Sequence, residues 1–190
     1  GLEFTPDIKV KSKDGVYSKF GWHVASEEES YEIFLKAFLP ALIEFLKGEG
    51  VEKNAYFHLS DEPRKVDFEK YKYAGEFVKP LIGDCKIFDA CSHYDFYEAG
   101  LMDVPVACTN EIGAFLDKNV ENLFAYYCCT GVNGVSNRFM SMPSYRNRIM
   151  GIQMYKYDLK GFLHWGYNFY YNGRSNYLVN PYVSSSADRT

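Results

Sequence analysis

The chain has 190 residues, 47% of them hydrophobic and 18% aromatic, which is enough apolar material for one sizeable core. Its formal net charge is −4 and no basic run exceeds a few residues, so nucleic acid is not an expected partner. The richest apolar stretch, Ala37 to Leu46, is broken by Pro40 and Glu44 and is too short to cross a bilayer.

Residues 1–22 read as a β-rich leading segment. Ile8-Lys9-Val10-Lys11 alternates, Asp14-Gly15 signals a hairpin turn, and Val16 to Trp22 resumes the extended pattern. From Ser26 the period lengthens. Tyr31, Phe34, Leu35, Phe38, Leu39, Leu42, Phe45 and Leu46 fall at helical spacing and read as a core face, with Pro40 expected to bend the helix. A repeating unit follows. Strands are expected at 54–60, 85–91, 104–109, 122–129 and 160–166, and helices at 67–81, 94–100, 111–119 and 143–157, before a polar, Asn-rich tail.

Short apolar strands alternating with helices predict a parallel sheet covered by helices. Residues 23–190 hold about five β/α units, whereas a closed eightfold barrel takes roughly 250 residues. The expected fold is α/β: the C-terminal portion of a (β/α)8 TIM-type barrel, as a fragment of a longer chain whose N-terminal strands lie outside this sequence.

The strongest chemical signal is His58-Leu59-Ser60-Asp61-Glu62-Pro63-Arg64. Asp61 and Glu62 follow an expected strand that Pro63 ends. Dehydrating two carboxylates at the mouth of a buried strand is costly, and strand C-termini are where barrel enzymes present catalytic groups. The competing reading is a helix cap, with Ser60 or Asp61 capping the segment that begins near Asp67. Ordinary glycosidases flank the scissile bond with carboxylates about 5 Å or about 6.5–9.5 Å apart. Sequence neighbours do not easily face each other across a sugar. They suit a substrate-assisted mechanism, in which the substrate's own 2-acetamido oxygen attacks the anomeric carbon. Glu62 would then serve as acid/base, and Asp61 would orient the acetamido N–H and stabilise the oxazolinium intermediate.

Cysteines 85, 91, 108, 128 and 129 lie in apolar, strand-like stretches. They read as buried reduced thiols rather than a disulfide framework. That usage leans toward the cytoplasm, while Gly1, which is not an initiator methionine, leaves export open. His23, His58, His93 and His164 show no metal-ligand spacing, and no cofactor or metal is expected. His58 and His164 fall inside strand patterns, which favours buried, hydrogen-bonded roles.

The string His58-Leu59-Ser60-Asp61-Glu62-Pro63 resembles the signature of glycoside hydrolase family 123 and the related domain of unknown function 4091. Tyr31 to Leu46 resembles the family's helix before the acid strand. Tyr126-Tyr127-Cys128-Cys129-Thr130-Gly131 with Asn137-Arg138-Phe139 resembles its next signature. Arg146-Asn147-Arg148 and Gly151, then Gly161-Phe162-Leu163-His164-Trp165-Gly166-Tyr167-Asn168, resemble its last strand. The resemblance runs in order over nearly the whole chain. It implies a (β/α)8-type catalytic domain behind an N-terminal β-sandwich. It also implies an exo-acting β-N-acetylgalactosaminidase whose acid pair maps onto Asp61 and Glu62.

The expected partner is a terminal N-acetylhexosamine of a glycan, without nucleic acid or membrane insertion; the oligomeric state is open. Substrate-binding candidates are Trp165 as a stacking floor, Tyr127 at the acetamido pocket, Asn137 and Arg138 in a loop, Asn168, and His58 beside the acid pair. Structural roles compete for each, such as a core aromatic or a loop cap. Two rival functions also stand. One is a non-catalytic carbohydrate-binding module of the same fold. The other is a glycosidase of different specificity with a separate nucleophile, Asp89 or Asp95.

Overall fold

An antiparallel hairpin opens the chain, with β1 (Lys9–Ser12) paired to β2 (Gly15–Ser18) from Lys9 opposite Ser18 to Ser12 opposite Gly15. Gly15 has φ 130°, a value that side-chain-bearing residues rarely adopt, so the glycine is what closes this turn. The computed structural model describes residues 2–129, 131, 134–139, 142–166, 171–172, 177–180 and 182–183. They fall into two compact units, residues 1–105 and 106–190.

After the hairpin, the first unit holds α1 (Glu29–Gly48), β3 (Tyr56–Phe57), α2 (Phe68–Ile82), β4 (Lys86–Ala90) and α3 (Tyr94–Glu98). The unit boundary falls inside β5 (Val104–Cys108). The second unit continues with α4 (Gly113–Asp117), β6 (Phe124–Tyr126), α5 (Tyr145–Lys156) and β7 (Gly161–Leu163). A short antiparallel pair follows, β8 (Tyr171–Asn172) with β9 (Tyr177–Leu178), where only a polar tail was expected. Strands β3 to β7 are hydrogen-bonded neighbours in chain order, and the pairs β3–β4, β5–β6 and β6–β7 run parallel. The alternating α/β reading therefore holds, with five parallel strands.

Helix α1 begins with Glu29 and Glu32 in its first turn and ends with Lys47 in its last, which complements the helix dipole. It runs as one α-helix through Pro40. Its buried residues are Leu39 and Ile43, with Leu35 and Leu46 packed partly against the same core, while Ile33, Phe38 and Phe45 are exposed. This corrects the expected core face at Phe38 and Phe45. Apolar positions spread round the helix, but only the stripe that meets a neighbour is covered. The Tyr73 hydroxyl of α2 donates to the Glu32 carboxylate, tying the two helices at the surface.

The core of the first unit gathers around Tyr71, Ile82, Ile87, Phe96 and Met102, all nearly or fully buried. β5 is covered along its whole length, as expected for a strand with both faces occupied. Gly161 pairs with Phe124 across β6 and β7, and a Cβ at 161 would fall 2.2 Å from the Phe124 ring. That ring lies on the space a side chain would need, so β7 can begin only with glycine unless the ring moves.

None of the five thiols is joined in a disulfide, in keeping with the reading against a disulfide framework, but they are not all buried. Cys91 and Cys108 are buried, Cys85 and Cys128 are half-buried, and Cys129 is exposed. Burial pushes the Cys91 thiol up to about 11, which makes it inert. Cys128 and Cys129 fall beyond the end of β6, where residue 129 turns outward.

Candidate functional site

β3 is only two residues long because the chain changes hydrogen-bond partner after Phe57. The Leu59 N–H donates to Asp89 Oδ1 at 3.0 Å, and the Ser60 N–H reaches Asp89 Oδ2 at 3.4 Å. A side-chain carboxylate thus takes the place of the β4 backbone as acceptor. Asp89 itself lies in β4 and is fully buried. Its remaining valences are filled by the Tyr71 hydroxyl from α2 and by His58 Nδ1 at 2.5 Å. One residue beyond Asp61 the backbone ladder returns, with the Glu62 N–H donating to the Ala90 carbonyl at 2.9 Å.

Glu62 has φ 45°, one of three non-glycine residues with positive φ among the described residues. The left-handed conformation costs such a residue about 1–2 kcal/mol. It also breaks the strand alternation that would send neighbouring side chains to opposite faces. Asp61 and Glu62 line one open concavity of 560 Å³, together with Phe4, Trp22 and Arg64. Both carboxylates are exposed, so the expected dehydration of the pair is not what this chain presents.

The helix-cap reading is answered locally. The Arg64 N–H and Nε both donate to Asp67 Oδ2 at 3.0 Å, just before α2. Those bonds hold the Asp67 carboxyl below the usual carboxylate range. Asp61 lies too far upstream of α2 to share in this cap. Asp89, a candidate nucleophile on sequence grounds, is sealed under four donors and has no open face for a sugar carbon. Trp22 and Phe4 were not singled out by sequence, because neither sits in a periodic run that marks a site. Their exposure beside two acids is what identifies them.

In the second unit, Tyr127, Cys128, Asn137, Arg138, His164 and Trp165 line a small cavity of 40 Å³. Tyr127 is buried, its ring 4.7 Å from that of Phe162 and its hydroxyl donating to Asn147 Oδ1 at 3.3 Å. Asn137 is buried too. Its Nδ2 donates to the carbonyls of Cys128 and Gly131, both at 2.9 Å, and its Oδ1 accepts from the Arg138 N–H at 2.7 Å. Arg146 reinforces this loop through Nε, which donates to the Val135 carbonyl at 2.9 Å. Trp165 is 45% exposed, and its ring stacks on His164 at 5.9 Å. Asn168 lies outside the described residues.

His164 Nδ1 faces Arg138 Nη2 at 2.9 Å and the Gly166 carbonyl at 2.5 Å. One ring nitrogen cannot accept from the first and donate to the second in the same tautomer. Burial, with a smaller contribution from the Arg138 charge, holds His164 below the ordinary histidine value of 6.5. His58 is shifted the other way, raised chiefly by its hydrogen bond to Asp89 and helped by the nearby Asp61.

The two imidazoles are therefore expected to titrate on opposite sides of 6.5, His58 above and His164 below, in an NMR pH series. The signs for stability follow. The His58 contribution is fully present below its unfolded value and is lost as pH rises through its raised folded value. His164 resists protonation, so it weakens the fold as pH falls below its unfolded value. Coincident titration of the two rings would contradict the geometry.

Among the described residues no three His, Cys, Asp or Glu side chains come together to hold a metal ion. Among them, too, no helix is long and apolar enough to cross a membrane.

The family model described as "Glycoside hydrolase 123, catalytic domain" matches residues 1–189. The chain belongs to this family. A solved structure of a family 123 glycoside hydrolase from Clostridium perfringens, described in terms of glycolipid glycan hydrolysis, has a similar fold. It superposes with a TM-score of 0.61 over 85% of the chain at 15% identity. The chain spans 29% of that protein's length. No curated protein matches the chain. Membership of family 123 agrees with the resemblance drawn from the His58–Pro63 string.

Proposed function

We propose that this chain is the catalytic portion of a retaining glycoside hydrolase that removes a terminal β-linked N-acetylhexosamine by substrate assistance. N-acetylgalactosamine is the favoured sugar, on family grounds. Its five parallel β/α units are read as part of a (β/α)8-type barrel. The observation that carries the reading is the geometry at Glu62. A left-handed residue, pinned to β4 through its own N–H, turns two adjacent carboxylates into one concavity beside an exposed tryptophan.

In this reading Glu62 protonates the glycosidic oxygen while the acetamido oxygen attacks C1, and the C1–O bond to the aglycone breaks. Asp61 accepts the acetamido N–H and stabilises the positive oxazolinium that forms. Glu62, now ionised, removes a proton from water, which opens the oxazolinium with net retention. Trp22 offers a ring face for the C–H groups of a sugar in the same concavity, and Trp165 and Arg138 are proposed sugar contacts in the second unit. The burial of Asp89 speaks against it as a separate nucleophile.

The test is the acetamide itself, in the full natural chain. Turnover of 4-nitrophenyl β-N-acetylgalactosaminide is expected, and none of the matching β-galactoside, which has a 2-hydroxyl. Comparable turnover of the galactoside would end the substrate-assisted reading. Sugar binding without turnover of either would favour a binding module.

A further inference from the structure

We propose that Asp89, with Tyr71 as its clamp, is the positioning residue that sets the Asp61-Glu62 pair; this rests on the catalytic reading of that pair. Asp89 acts through the backbone, and the distances trace how. A strand that stayed on its ladder would present residues 61 and 62 on opposite faces. Here the ladder is interrupted after Phe57, and the two N–H groups that leave it, those of Leu59 and Ser60, are caught by the Asp89 carboxylate. The chain rejoins β4 only at Glu62, through the carbonyl of Ala90, the residue after Asp89. Segment 59–62 is thus held at both ends by consecutive residues of one strand, and the left-handed turn at Glu62 lies between them and the exit at Pro63.

The burial of Asp89 gives the arrangement its stiffness. A carboxylate with no exposed surface is tolerable only if its lone pairs are filled, and here the donors come from three directions. Tyr71 contributes the one donor that does not belong to the acid segment. Its ring is fully buried against Phe96, with centroids 5.3 Å apart, so α2 and the aromatic core fix where the carboxylate can sit. His58 supplies the remaining donor, near enough to Asp61 to feel that charge. A mere core aspartate would not need two successive backbone N–H groups from the strand that carries the catalytic pair. A nucleophile would not be sealed.

Asp89→Asn and Tyr71→Phe separate these roles, measured in the full natural chain beside Asp61→Asn and Glu62→Gln. In Asp89→Asn, kcat is expected to fall roughly 10- to 100-fold with KM within about twofold, as for a misplaced rather than a missing group. Tyr71→Phe is expected to show a smaller fall of the same kind, and it serves as the deciding variant if Asp89→Asn does not fold. Wild-type kcat in a folded variant, or a loss carried by KM instead, overturns the proposal. Amide hydrogen exchange at Glu62 gives a reading that needs no substrate. It is expected to quicken at least about tenfold in Asp89→Asn, in line with local opening. Unchanged exchange there overturns the positioning role. Full activity in Glu62→Gln instead removes the catalytic reading, whatever the exchange shows.

Discussion

Glu62→Gln is expected to lower kcat/KM on an aryl β-N-acetylgalactosaminide by about 10²- to 10⁴-fold, the range that a general acid/base contributes. The amide keeps the size and the backbone of the glutamate but can neither give up nor take a proton in the reaction. The loss should shrink on a 2,4-dinitrophenyl glycoside, whose leaving group needs no protonation. Asp61→Asn should fail differently. It keeps a hydrogen-bonding side chain but loses the charge that stabilises the oxazolinium, a change worth about 10²- to 10³-fold when an electrostatic group is removed from a transition state. That loss should persist with the activated leaving group, because the ring intermediate forms in both cases. Both carboxylates are exposed, so thermal melting of either variant should match the parent. A dinitrophenyl substrate that fails equally in both variants would remove the division of roles between the two acids.

The largest stability effect is expected at Asp89. In Asp89→Ala the Tyr71 hydroxyl and the Ser60 N–H lose their acceptor in a buried place, and the Leu59 N–H loses it in a partly buried one. Each orphaned buried donor costs about 1–3 kcal/mol, and removing one partner from a buried charged network typically costs about 3–5 kcal/mol. The His58 pair adds little to this, because that side chain is 56% exposed and screened by water. A loss of about 3 kcal/mol or more is therefore expected, read as a lower urea midpoint with the slope of the transition unchanged. A loss under about 1 kcal/mol would mean that water enters and replaces the carboxylate.

The helices were legible because a 3.6-residue period survives in α1 and α2, where one face is repeatedly apolar. Even so, the sequence pattern left out Ile43, one of the two residues that α1 buries. Periodicity reports which residues are apolar, not which stripe a neighbour covers. Strand ends were harder. The run from Asn54 to Ser60 is apolar enough to be a strand, but its ladder stops at Phe57 because an acceptor 30 residues away intervenes. No local pattern encodes that. The acid pair stands out in the sequence by its adjacency, while Asp89 drew notice only as a rival nucleophile, alongside Asp95. The signal was real; the buried network gives it a different meaning. Asn137 was read as a binding residue in a loop, and its amide is spent on loop carbonyls, which only the folded backbone could reveal.

The left-handed backbone at Glu62 sets stability and chemistry against each other at a single position. Glycine or asparagine would sit there with less strain, by about 1 kcal/mol, while deleting the acid. On the proposed assignment of Glu62 as acid/base, selection for hydrolysis holds a residue that the backbone alone would discard. A relative that carries glycine or asparagine at this place, with the Asp89 network intact, is expected to have kept the fold and given up the reaction. Position 62 then becomes a marker for sorting working enzymes from retired ones within the family.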